Sequence, residues 1–80
     1  MREFIATFHT HLAALMTCRN LNGKGAKAGM MPVPRKLSSS CGTCVRYLSD
    51  DPQLGSMDED VEAVYEKTGK EEYKLIMEVQ

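Results

Sequence analysis

What most constrains this chain is the order in which short apolar runs change period over only 80 residues. Arg2 to Phe8 is short and rich in Phe and Ile, and its composition predicts a strand. After His9-Thr10-His11, the residues Leu12, Leu15 and Met16 fall at helical spacing. Thr10 is placed to cap that helix, and Asn22-Gly23 to end it near Leu21. Ala26 to Val33 has no helical period and ends in Pro32-Val33-Pro34, as expected of an edge strand. Thr43 to Ser49, with Val45, Tyr47 and Leu48, predicts a third strand. Ser56 and Glu59 form a capping box, followed by Val61, Val64 and Tyr65 and then Gly69, which predicts a second helix. Tyr73, Leu75, Met77 and Val79 alternate with polar residues in a closing strand.

The order strand, helix, strand, strand, helix, strand predicts an α+β fold. Two interleaved βαβ units give a ferredoxin-like βαββαβ domain, a four-stranded antiparallel sheet with two helices on one face. The first two strands are then parallel and end at the same edge. His9, Thr10 and His11 should therefore lie near the connection that carries Cys41, with the Thr68-Gly69-Lys70 turn at that end too. Strands one and four are apolar on both faces. The open face of the sheet therefore predicts a covering partner, most simply a second copy in a homodimer.

Length admits a single domain, residues 1–80, and excludes a TIM barrel or a dinucleotide-binding domain. No 18-residue apolar run is present to cross a membrane, and the opening Met1-Arg2-Glu3-Phe4 reads as a cytoplasmic start without a signal peptide. Three cysteines are too few, and odd in number, for a secreted disulfide scaffold. The net charge of -1 hides an asymmetry. Residues 1–50 carry seven Lys and Arg against two acids, and residues 51–80 carry three against nine. Lys24, Lys27, Arg35, Lys36 and Arg46 make the cysteine-bearing half electropositive.

The segment Pro32 to Cys44 is the least ordinary part of the chain. A thiol reacts as its thiolate, so a functional cysteine needs help to ionise. Arg35 and Lys36 offer positive charge, and the amino end of the first helix, at His9-Thr10-His11, offers unpaired N–H groups. Ser38, Ser39 and Ser40 can donate hydrogen bonds to an anionic sulfur, and Gly42 permits a sharp turn beside it. The alternative is a flexible serine loop with Cys41 and Cys44 as small packing residues.

Pro32-Val33-Pro34-Arg35 followed by Leu37-Ser38-Ser39-Ser40-Cys41-Gly42 strongly resembles the selenium/sulfur (Se/S) carrier protein-like family, a small bacterial domain. The opening Thr7-Phe8-His9-Thr10-His11-Leu12-Ala13 is similar to that family as well, and the likeness spans essentially the whole chain. The resemblance implies a carrier rather than an enzyme, with Cys41 holding sulfur or selenium as a persulfide or selenosulfide. Arg35 and Ser38 to Ser40 match the surroundings of that cysteine. Members occur alone or behind a sulfur-relay domain with a Cys-Pro-x-Pro motif; these 80 residues hold no such motif, so donor and acceptor are expected to be separate proteins, a cysteine desulfurase-like donor among them. Cys44 stands where relatives have an apolar residue, which leaves it open as a resolving thiol, a metal ligand or a strand residue.

Spacing bears on that choice. If the third strand begins at Gly42, residues 41 and 44 are about 10 Å apart. A disulfide needs Cα atoms within about 7 Å, so a dithiol oxidoreductase would need a turn at Gly42-Thr43. The spacing favours an open, reduced pair. Cys41 and Cys44 with His9 and His11 are a conceivable zinc set and give the alternative reading, a metal-binding or dimeric interaction module. The leading reading needs neither metal nor cofactor. Cys18 is expected to be a structural thiol on the first helix. Nucleic-acid binding is not expected, because the middle strands lack the stacking aromatics of RNA-recognition domains. Asp58, Glu59, Asp60 and Glu62 read as a solvated helix start.

Overall fold

The computed structural model describes residues 1–79. Among them are five strands and one helix: β1 (Arg2–Phe8), α1 (His11–Gly23), β2 (Lys27–Pro32), β3 (Thr43–Ser49), β4 (Val61–Gly69) and β5 (Glu72–Glu78). The strands form one sheet in the order β2-β3-β1-β4-β5, with every neighbouring pair antiparallel. Since β3 is antiparallel to both β1 and β2, those two run parallel, joined across α1. The Thr10 hydroxyl caps α1 by accepting from the Ala13 N–H at 3.1 Å. Gly25, at φ 87°, turns the chain out of the helix into β2.

The expected second helix and four-stranded sheet are both overturned: residues 61–69 are a strand, giving five strands and one helix. The capping-box residues serve other purposes. Ser56 ends a short 3-10 turn, Leu54–Ser56, and is buried there. Asp58 accepts from the Asp60 N–H at 3.0 Å, a local turn that feeds the chain into β4. The apparent helical spacing of Val61 and Val64 has a definite origin. The register of β4 against β1 shifts between Phe8↔Val61 and Thr7↔Ala63, which makes Glu62 the extra residue of a β-bulge. A bulge resets the two-residue alternation, so residues three apart share a face. β-branched and aromatic side chains then favour the strand.

One face of the sheet carries the core. Phe4, Ala6 and Phe8 of β1, Val45 and Tyr47 of β3, and Val61 and Val64 of β4 pack with Ala13, Ala14 and Leu21 of α1. Phe4 and Tyr47 are stacked with ring centroids 5.2 Å apart. Full burial of each such side chain contributes roughly 1.5–3 kcal/mol. On the opposite face, register aligns Met31, Cys44, Thr7 and Ala63 in one row and Arg46, Ile5 and Tyr65 in the next. Ile5, Thr7, Cys44 and Ala63 are buried although α1 lies on the other side.

Their cover is the β2–β3 connection, residues 33–42. This strap is anchored at its roots by the Val33 N–H bonding to Gly42 O at 3.1 Å. It reaches over β1 to β4, where Leu37 lines a surface groove together with Tyr65 and Leu75. The face expected to be bare, and to need a second copy, is therefore partly closed by the chain itself. The β4–β5 turn that follows Gly69 does not lie at the Cys41 end, as the two-helix arrangement required. Lys67 pairs with Glu3, so that turn sits at the opposite end of β1 from Phe8.

Candidate functional site

The strap places Cys41 at its return to the sheet, between a clamped residue and a turn. Ser39 Oγ donates to Phe8 O at 2.8 Å, pinning the strap to the end of β1. Ser40 is held by Glu62: its N–H donates to Oε1 at 3.1 Å and its hydroxyl to Oε2 at 2.6 Å. Gly42 follows at φ 73°, a conformation open to glycine, and its N–H bonds to Ser39 O at 3.3 Å. Cys41 is half-buried between them. Its thiol donates to Thr43 O at 3.4 Å and lies 3.7 Å from Ser39 Oγ.

His9 joins this cluster, as the topology predicted. Its Nδ1 is 3.4 Å from Ser40 Oγ and 3.4 Å from Glu62 Oε2. Burial pushes the Glu62 carboxyl up, but the Ser40 hydroxyl and N–H, the charge of His9 and the Ser39 hydroxyl outweigh it. The net effect holds Glu62 below the ordinary carboxylate range. Glu62 is the residue that sequence reasoning missed, having been assigned to a solvated helix start. Its signal was a lone acid between Val61 and Ala63, which becomes legible only once that segment is a strand.

The other expected site residues spread out. Thr10 is spent as the cap of α1, and His11, the first helical residue, is exposed. Ser38 is exposed on the strap. Arg35 and Lys36 are exposed too, and Lys36 borders a surface groove of about 510 Å³ with Leu37, Tyr65, Tyr73 and Leu75. The titratable groups in hydrogen-bond contact with the Cys41 turn are thus Glu62 and His9 rather than the two basic residues. Among the described residues no group of three or more His, Cys, Asp or Glu side chains converges to hold a metal ion.

All three cysteines are free. Cys44 is fully buried on the strap face of β3, and its thiol donates to Pro32 O at 3.8 Å. Burial, with a smaller contribution from neighbouring Cys41, pushes that thiol up to about 11. Cys18 packs from α1 against the core and accepts from Asn22 Nδ2 at 3.7 Å. The arrangement thus sets one half-buried thiol, Cys41, at a glycine turn of the strap, a second half-buried thiol, Cys18, against the core on α1, and a sealed thiol, Cys44, on β3.

Residues 3–75 match the protein family described as "Putative Se/S carrier protein-like". The chain belongs to this family. The match covers Cys41 and its strap, Glu62, His9 and all of α1. The family's description is that of a carrier. No curated protein and no solved structure matches the chain. No helix among the described residues is long and apolar enough to cross a membrane.

Proposed function

We propose that this chain carries a sulfur or selenium atom on Cys41 between a donor and an acceptor protein, as a persulfide or selenosulfide, without catalysing turnover itself. The observation that carries the reading, beside family membership, is the contrast between Cys41 and Cys44. Cys41 is half-buried beside a serine hydroxyl at a glycine turn, whereas Cys44 is sealed and resists ionisation.

The chemistry is thiol exchange. In its thiolate form Cys41 attacks the outer sulfur of a persulfide on the donor, the donor's inner sulfur leaves as a thiolate, and the sulfur atom changes carrier with no net oxidation. The Cys41 proton, which rests against Thr43 O, must leave first. The Ser39 hydroxyl can then rotate to donate to the anionic sulfur. Arg35 and Lys36, further back on the strap, offer positive charge to an approaching partner. A cysteine desulfurase-like protein is the chemically natural donor, and the free thiols suit a reducing cytoplasm.

The test is intact mass and peptide mapping after the reduced protein is incubated with a cysteine desulfurase and free cysteine. One added sulfur atom on the Cys41 peptide, removable by reductant and lost in Cys41→Ala, is the expected result. No adduct on Cys41 with a competent donor, or persistent loading of Cys41→Ala at Cys18, overturns the assignment.

A further inference from the structure

Cys44 is a buried nucleophile that the carrier chemistry does not use, and its place is hazardous for the cargo. A persulfide on Cys41 can be discharged from within the chain. If the Cys44 thiolate attacks the inner sulfur of Cys41, a Cys41–Cys44 disulfide forms and the outer sulfur leaves as hydrosulfide. Cys44 is oxidised, the cargo sulfur is reduced, and the proton shed by Cys44 leaves with the sulfide; no outside oxidant is needed.

The native arrangement opposes this step in three ways. The two thiols donate to different carbonyls, Cys41 to Thr43 O and Cys44 to Pro32 O, rather than facing each other. Cys44 is fully buried beneath the face that the strap covers. The strap in turn is fastened, immediately before Cys41, by the two hydrogen bonds from Ser40 to Glu62, a side chain that the bulge in β4 brings up to the strap. Gly42, on the other side of Cys41, is the residue about which a released strap would swing.

We propose that Glu62 and Ser40 form a latch that retains the cargo, holding the strap so that Cys44 cannot act as a resolving thiol toward a loaded Cys41. This rests on the carrier reading of Cys41, and it makes Glu62 a positioning residue that acts through the strap.

The experiment loads the reduced protein with inorganic polysulfide, which needs no partner protein. It then follows sulfide release and the Cys41–Cys44 disulfide by mass spectrometry. Glu62→Gln and Ser40→Ala should each release sulfide faster than wild type by about tenfold or more, the effect of losing a hydrogen bond to a charged group. Both should accumulate the internal disulfide. Adding Cys44→Ala to either variant should return release to the wild-type rate, which a merely structural loosening would not do. Ser40→Ala, a truncation at an exposed position, keeps the test valid should Glu62→Gln fold poorly. Release at the wild-type rate in both variants, or acceleration that survives Cys44→Ala, overturns the latch. Failure of polysulfide to load Cys41 in the wild type overturns the carrier reading and the latch with it.

Discussion

Ser40 and Glu62 stand 22 positions apart and are joined through both carboxylate oxygens, one taking the Ser40 N–H and the other its hydroxyl. Hydrogen bonds to a carboxylate favour its charged form, and here they outweigh the burial that opposes it. The groups facing Glu62 are His9 after β1, Ser39 and Ser40 on the strap, and Tyr65 on its own strand. A carboxyl depressed in the fold contributes stability that is present above its unfolded pKa and lost as pH falls through the folded one. The strap should therefore stay docked through neutral pH and loosen only in acid, below the ordinary value of 4.5. The Ser40 amide resonance, followed by NMR from pH 7 to pH 2, should titrate with a midpoint below that value. In Glu62→Gln this transition should vanish.

Cys44 works in the opposite direction. Its thiol is raised from 9.0 to about 11, first by burial and then by Cys41. A group raised in the fold lends stability that is intact below the unfolded pKa and lost as pH climbs through the folded one. The protein should hold its stability to about pH 9 and lose roughly 2–3 kcal/mol on approach to pH 11, at 1.36 kcal/mol per unit. Urea unfolding under reducing conditions should show this loss shrinking in Cys44→Val. Tyr47, also raised by burial, adds a loss in the same direction, so the difference between the two proteins is the quantity that isolates Cys44. At pH 8, iodoacetamide should modify Cys41 in the native protein while sparing Cys44 until urea is added.

The elements of the first half of the chain were legible from local signals, although the face α1 buries was not: Leu12 and Met16 are exposed, and Ala13, Ala14, Thr17 and Leu21 pack inward. The β1 and β3 bounds, the Thr10 cap and the edge position of β2 follow from alternation, capping chemistry and the prolines after Met31. The helix expected from Ser56 to Gly69 failed because a bulge at Glu62 puts Val61 and Val64 on one face, a pattern that helical spacing also produces. The same error hid the site's own carboxylate, since an acid in a helix's first turn needs no explanation, whereas one projecting from a strand bulge does. Proximity of His9 to the Cys41 turn was readable, because parallel β1 and β2 alone require it. The strap's path over the second face was not, for nothing local in Arg35 to Ser40 says which side of the sheet it will cross.

The cap on α1 offers a compact check of local energetics. Thr10 is extended, at φ -131° and ψ 153°, and its hydroxyl satisfies an N–H that no helical carbonyl can reach. Thr10→Ala should cost about 1 kcal/mol in urea unfolding, and Thr10→Ser should recover most of it.

Asn22 guards an edge of the sheet. Its side-chain oxygen accepts from the Ala28 N–H at 2.9 Å, and its amide nitrogen donates to Ala28 O at 3.1 Å. One side chain thus imitates a neighbouring strand on β2, the edge strand whose far end is blocked by Pro32, a residue without an N–H. The other edge, β5, is defended differently, by register shifts against β4 and by Glu72, Lys74 and Glu78. Removing the amide should therefore act twice. Asn22→Ala should lower stability by about 1–2 kcal/mol, the net worth of two hydrogen bonds exposed to water. Asn22→Asp should fall between, keeping the acceptor for Ala28 N–H but setting a carboxylate against Ala28 O. Uncapped, β2 presents both groups of Ala28 beside Met30 as a template for another strand, so Asn22→Ala should also sediment as larger species at high concentration, while Thr10→Ala, destabilised to a similar order, should not. Equal sedimentation of the two variants would show that Asn22 acts only through stability and that the edge is guarded by other means.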